Sequence, residues 1–170
     1  IDAHELLWNS FSGSGYDISC AQHSHPIFYQ LKKRAPIVAK ATFDPTFKKH
    51  LYFVHLNEKR NSRDAIKAYQ SRTFNKEGII QKISEITRNM PNAMTITEFD
   101  SLLEQHEELL SVILGIKPIK ASLFVDYFGA IKSLGAWGGD FILATGNEKT
   151  PGYFRSKGFE TILSYDEMVL

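Results

Sequence analysis

Cysteine is almost absent from this chain: Cys20 is the only one in 170 residues. A single thiol cannot close an intrachain disulfide, which excludes a disulfide-stapled secreted scaffold and points to a reducing compartment, the cytoplasm. Long apolar runs are missing too. No stretch reaches the roughly 18 apolar residues of a membrane span, and the opening "IDAHELLWNS" carries acids and a histidine where a signal peptide needs basic residues and an apolar stretch. Neither sign of charge is in excess. Lys plus Arg number 20 against 19 Asp plus Glu, a net charge of +1, so neither nucleic acid nor a membrane is an expected partner and any basic site must be local. Metal-ligand spacing is also wanting: beyond the H-x-H of His23 and His25, neither these nor His50, His55 and His106 have further ligands at a defined interval. Packed or solvated histidines are expected, with His106 on the surface of its helix. There is no initiator methionine, and "IDAHELLW" reads as the middle of a helix, so an N-terminal part is expected to precede it.

What is present suits a soluble globular domain: 43% hydrophobic residues are enough for a core, and 23% charged residues enough for a solvated surface. "IDAHELLWNSF" places Ala3, Leu6 and Leu7 at helical spacing ahead of a glycine-rich loop. "HPIFYQL", "PIVAKATF" and "LYFVHL" predict three consecutive antiparallel strands over 26–31, 36–43 and 51–56, separated by "KKRA" and "DPTFKKH". Helices are expected in "SRDAIKAYQSR", "KEGIIQKISEITRNM" and "TITEFDSLLEQHEELLSVIL", the last capped by Thr97. "KPIKASLFVDYFGAIKSLG" reads as a helix to about Gly129 and then a strand, with Phe124, Tyr127 and Phe128 as a core-facing aromatic stripe. A second strand follows in "GAWGGDFILAT", and "TPGYFRSKGFETILSY" adds a short helix and a last strand. The fold class expected is α+β, one domain over 1–170, with an antiparallel sheet and helices packed on one face.

Two glycine clusters stand out. In "SFSGSGYDISCA", Gly13 and Gly15 can take positive φ and let a ligand approach the backbone, while Ser10, Ser12 and Ser14 offer hydroxyls. Asp17 lies just beyond, where a carboxylate could take a proton from a bound hydroxyl or help to place Mg²⁺. Spacing alone favours a plainer reading, a turn in which Asp17 caps the next helix. Cys20 has no activating base nearby and reads as a buried structural thiol. The second cluster, "GAWGGDF", lies between two strands and is neither a dinucleotide fingerprint nor a P-loop; alone it is a glycine-rich hairpin with Trp137 packed over it. A third candidate is "NEKRNSRDA". There Lys59, Arg60 and Arg63 precede a helix whose cap is Asn61 or Ser62, a place for a substrate carboxylate or phosphate or simply a solvated turn.

In order and spacing these segments resemble the C-terminal half of the GHMP kinases, the superfamily of galactokinase, homoserine kinase, mevalonate kinase and phosphomevalonate kinase. "GSGYDISCA" is similar to the segment G-S-G-(F/Y)-D-(V/I)-A-x-A that carries the catalytic aspartate in mevalonate and phosphomevalonate kinases. "LLEQHEELLSVILGIKP" is similar to the helix leading into the family's "LG-V-S" turn, and "GAWGGDFILAT" falls where the motif G-A-G-G-G-G belongs. "GYDIS" with "GAWGGDF" looks most like a bacterial subgroup named for its Gly-Tyr-Asp-Ile-Ala sequence, with Ser19 at the final alanine. Trp137 and Asp140 replace glycines of the third motif, and Leu134 stands where many relatives have a phosphate-contacting hydroxyl. The segment P-x-x-x-G-L-G-S-S-A-A, which wraps ATP phosphates at a helix N-terminus, does not occur in this chain.

The resemblance implies a ferredoxin-like C-terminal domain of an ATP-dependent kinase acting on an alcohol, mevalonate first and phosphomevalonate second. Diphosphomevalonate decarboxylase and a non-catalytic ligand-binding module are the alternatives. Asp17 is then the catalytic carboxylate. Ser12, Gly13, Ser14, Gly15, Tyr16, Lys59, Ser62 and Arg63 meet the substrate, and Gly135, Ala136, Trp137, Gly138 and Gly139 lie near the nucleotide. ATP and Mg²⁺ would be held largely by an N-terminal lobe, so the partners implied are ATP and a small-molecule acceptor, with a homodimer left open.

Overall fold

The computed structural model describes residues 3–10, 13–58, 69, 71, 76–135 and 140–169. The chain divides into two compact units, one ending at Asp44 and one spanning Pro45–Val169, and both combine helices with antiparallel strands.

In unit 1, helix α1 (Ala3–Ser10) and the short α2 (Tyr16–Ala21) precede the strands β1 (Ile27–Lys32) and β2 (Ala35–Lys40). The strands pair antiparallel from Ile27↔Lys40 to Lys32↔Ala35. Their two-residue loop places Lys33 and Arg34 at φ 50° and 62°. Both values are positive, the geometry that matches the twist of a hairpin.

Unit 2 opens with a 3₁₀ turn, Lys48–His50, running into β3 (Leu51–His55). Two long helices follow, α3 (Lys76–Asn89) and α4 (Ile96–Leu114), then the short α5 (Ile119–Leu123), the hairpin β4 (Ile131–Ser133) and β5 (Phe141–Thr145), α6 (Thr150–Ser156), β6 (Ile162–Ser164) and α7 (Tyr165–Met168). The strands form one sheet in the order β4-β5-β3-β6, every neighbour antiparallel. Val54 stands opposite both Ile142 and Ile162, so this row shares one face of the sheet. With Ile119, Phe124, Tyr127 and Phe154 it forms the core. Phe124, Val54, Ile142 and Phe154 are fully buried, each stabilising the fold by about 1.5–3 kcal/mol.

Four expectations need correction. The third predicted strand does not extend the hairpin of the first two; β3 pairs with β5 and β6, so there are two sheets rather than one. The helix expected up to Gly129 stops at Leu123. Beyond it the chain is held by tertiary contacts: Phe124 meets Phe154 edge to face at 5.1 Å, and the Tyr127 hydroxyl donates to the Thr145 carbonyl at 2.8 Å. Phe128, counted with them as core, is 54% exposed. The cap of α4 is Thr95 rather than Thr97. Thr95 Oγ1 accepts from the Glu98 N–H, and the Glu98 carboxylate returns a bond to the Thr95 N–H, a complete capping box.

Two glycines allow close packing around the end of β5. A Cβ on Gly129 would lie 1.9 Å from the Thr145 carbonyl oxygen, and one on Gly146 would lie 2.0 Å from Thr150 Oγ1. Gly146 also exchanges backbone and side-chain bonds with His50, its N–H donating to the His50 carbonyl and its carbonyl lying 2.9 Å from His50 Nδ1.

Candidate functional site

Gly15 sets the geometry of the loop before Asp17. Its φ of +77° lies in the left-handed region, and it is the N-cap residue of α2. A Cβ there would stand 2.7 Å from His4 Cδ2 and 3.4 Å from the Tyr29 hydroxyl oxygen, so conformation and space both require glycine. The neighbour responsible is His4, buried on α1. Its Nε2 lies 3.1 Å from the Gly15 carbonyl oxygen and 3.1 Å from Ser19 Oγ. Because a carbonyl can only accept, Nε2 carries the proton, and its N–H is shared between these two oxygens.

Ser14 is used twice. Its hydroxyl oxygen accepts from the Tyr16 N–H at 3.2 Å, and its carbonyl accepts from the Tyr29 hydroxyl. The rings of Tyr16 and Tyr29 meet edge to face at 5.7 Å. The Cys20 thiol beside Tyr16, followed by burial, pushes the Tyr16 phenol up to about 12. Cys20, expected as a buried thiol, is free and half-buried.

Asp17 lies in the first turn of α2. The reading from spacing, that it caps this helix, does not hold. The cap position belongs to Gly15, two residues earlier, which has no side chain to offer, and the described side chain bonded at this end of the helix is Ser14, on the Tyr16 N–H. The Asp17 carboxylate is exposed and takes no hydrogen bond or salt bridge from a described residue. The structure thus brings together Gly13, Ser14, Gly15, Tyr16 and Asp17 in one turn, while Ser12, Lys59, Ser62 and Arg63 lie outside the described residues.

In unit 2 the glycine run does join two antiparallel strands, closed at its base by the Leu134 N–H donating to the Phe141 carbonyl at 3.0 Å. Gly135 has φ +69° and open space where a Cβ would stand. Ala136, Trp137, Gly138 and Gly139 lie outside the described residues, and Asp140 beyond them is exposed.

Under this hairpin sits a polar group that the motifs did not reveal. Glu107, on α4, is 6% exposed. Its Oε1 accepts from Lys132 Nζ at 3.0 Å and from Ser133 Oγ at 2.8 Å, both on β4. A signal was available, since Phe99, Leu103, Glu107, Leu110 and Leu114 share one helical stripe, and a carboxylate on an apolar stripe calls for a buried partner. His4 and Tyr29 carried no comparable signal. His106, expected on the surface, is half-buried with a buried Nδ1 that has no hydrogen-bond partner among the described residues. Burial, then the nearby Lys132 charge, pulls its imidazole down to about 4.

Among the described residues no three His, Cys, Asp or Glu side chains gather to hold a metal ion, and no helix is long and apolar enough to cross a membrane. Compared with models of known families and with curated proteins, the chain matches none.

Proposed function

We propose that this chain carries the acceptor-hydroxyl side of a cytoplasmic GHMP-type kinase that phosphorylates an alcohol, mevalonate before phosphomevalonate. The observation that carries this reading is Asp17: an exposed carboxylate with no described partner, one residue past Tyr16 and presented by a left-handed glycine turn. A carboxylate that must accept a proton from a bound alcohol has to be free of structural ties, and Asp17 meets that requirement among the described residues. The fold of unit 2 also supports it. Its order of strand, helices, two strands, helix and strand, arranged as β4-β5-β3-β6, matches the ferredoxin-like plan that the resemblance implies.

ATP would supply the phosphoryl group, its charge neutralised by Mg²⁺, and both fall to a lobe bearing the phosphate-wrapping segment that this chain lacks. The open, positive-φ Gly135 at the edge of the glycine run fits a close approach by a nucleotide. Within this chain the work is positioning. Asp17 orients the acceptor hydroxyl and takes its proton as the bond to phosphorus forms. Gly15, fixed by His4, keeps the Asp17 turn in place, and the resemblance assigns the charged end of the acceptor to Lys59, Ser62 and Arg63, which lie outside the described residues.

The test is an ADP-release assay of the full-length protein with mevalonate, phosphomevalonate and diphosphomevalonate, with carbon dioxide followed in parallel. ATP-dependent phosphorylation of a hydroxyl is expected, and Asp17→Asn should lower kcat at least about 100-fold with little change in KM for ATP. Near wild-type turnover by Asp17→Asn, ADP formed only together with carbon dioxide, or no ADP with any acceptor would overturn the proposal.

A further inference from the structure

A cleft of about 390 Å³ opens in unit 2 between the C-terminal half of α4, α5 and β4, at the lower end of small-molecule sites. One wall is apolar, with Leu110, Leu114, Ile116, Ile119 and Leu123, and Glu107 and Ser133 join the lining. The Glu107 side chain is only 7% exposed, and its two oxygens are used unequally. Oε1 accepts from Lys132 Nζ and from Ser133 Oγ, while Oε2 receives no hydrogen bond from a described residue. A buried acceptor left open beside an apolar wall calls for a donor. We propose that this cleft binds a short aliphatic alcohol, its chain against that wall and its O–H donating to Glu107 Oε2. The site lies within unit 2 and does not rest on the kinase reading.

Charge balance and proton balance together select a neutral donor over either ion. Lys132, 3.0 Å from Oε1 and itself 13% exposed, already offsets the Glu107 charge, and Glu58 has an interaction of its own. An ammonium on Oε2 would set a second cation beside Lys132 and give up its hydration with no unpaired anion to offset the loss. A carboxylate would meet acceptors where it needs donors. The three serine protons are committed: Ser111 Oγ donates to the Glu108 carbonyl at 2.8 Å, Ser122 Oγ to the Pro118 carbonyl at 3.1 Å, and Ser133 Oγ to Glu107 Oε1 at 2.8 Å. Lys117, the cation among the described lining residues, is exposed and stays hydrated. An alcohol brings one O–H and no charge, which matches one open oxygen beside an ion pair that is already balanced.

The full-length protein, labelled with ¹⁵N, should be titrated with 1-hexanol, 1-methoxypentane, n-hexylammonium and hexanoate at constant ionic strength. The ether has the size of the alcohol but no proton to donate. Amide shifts are expected at Leu114, Ile119 and Ser133, with hexanol bound about tenfold or more tightly than the ether, as a hydrogen bond to a charged group implies, and both ions bound more weakly than the alcohol. Glu107→Gln should bring the alcohol down to the affinity of the ether, because Lys132 and Ser133 claim the amide oxygen and leave an NH₂ where the open acceptor stood. Ser122→Trp, on the α5 side, fills the cleft and should weaken both. Equal affinity for alcohol and ether, an ion bound as tightly as the alcohol, alcohol shifts that map elsewhere, or an undiminished preference for the alcohol in Glu107→Gln would overturn the proposal. If Glu107→Gln does not fold, unaltered alcohol binding in Ser122→Trp overturns it equally.

Discussion

Replacing Lys132 by methionine should destabilise unit 2 by about 3–5 kcal/mol, because it strands a buried carboxylate. The pair is 3.0 Å apart with side chains 13% and 7% exposed for Lys132 and Glu107. At an effective dielectric of about 20, opposite charges at that distance attract by about 5 kcal/mol. Methionine keeps most of the volume and restores none of that attraction, leaving Glu107 Oε1 with only the Ser133 hydroxyl as a described partner. Adding Glu107→Leu removes the stranded charge, and with it the need for compensation. The double variant should then lie within about 1–2 kcal/mol of the parent, the residue being the acceptor lost to Ser133. Amide hydrogen exchange at Ile142 and Leu143 gives the assay, since β5 is an inner strand of the sheet and its slowest amides report the opening of the unit. The reasoning requires a coupling of several kcal/mol between the two substitutions. Additive losses, with the double variant as unstable as the sum, would refute it.

Other outcomes follow from single groups. Gly15→Ala must place an alanine in the left-handed region, at about 1–2 kcal/mol, and must also displace His4 from 2.7 Å; amide protection in α2 should fall, and parent-like protection would contradict the contact. His106 is held neutral to about 4, chiefly by burial, whereas an unfolded histidine binds a proton near 6.5. Unfolding therefore takes up a proton, and stability falls as pH drops from about 6.5 towards about 4. Denaturant titrations of His106→Gln should lose up to about 1.4 kcal/mol per pH unit of that slope, and an unchanged slope would refute the burial argument. Gly129→Ala drives a Cβ to 1.9 Å from a backbone oxygen, while Gly152, inside α6, has nothing within 4 Å. Calorimetry should show the first substitution costing about 3 kcal/mol or more and Gly152→Ala stabilising by about 0.5–1 kcal/mol.

These contrasts also explain how far the sequence could be read. The hairpin β1–β2, the helices α3 and α4, and the closing α6 and β6 declare themselves through local period and turn residues, and they form where expected. Thr97 is the expected cap of α4, whereas the arithmetic of the capping box selects Thr95, which has Glu98 three residues on where Thr97 has Asp100. The same signature in Ser164 and Glu167 caps α7 and was equally available. The stretch after Leu123 misled because Phe124, Tyr127 and Phe128 fall at helical intervals. Two of them instead enter the core from an irregular segment, tied at Asp126 by the Tyr153 hydroxyl at 2.6 Å and by Lys157 Nζ at 3.0 Å. Those partners lie 27 and 31 residues away, beyond the reach of any local pattern.

The candidate site divides along the same line. A glycine in the left-handed region and a carboxylate beside it are local facts, and Gly15 and Asp17 could be picked out because the backbone requirement is written into the residue type. What makes the turn rigid is not local. His4 reaches Gly15 from 11 residues upstream and Ser19 across 15, and Tyr29 returns to Ser14 across 15. None of the three is a residue that chemistry alone would single out. The consequence is a separation of roles within unit 1. Asp17 has no structural partner among the described residues, while the turn that presents it is held from both sides by α1 and β1. A carboxylate so placed can meet a ligand without loosening the loop that carries it, so loss of the Asp17 charge and loss of the His4 contact should be separable, the first altering chemistry and the second altering the backbone.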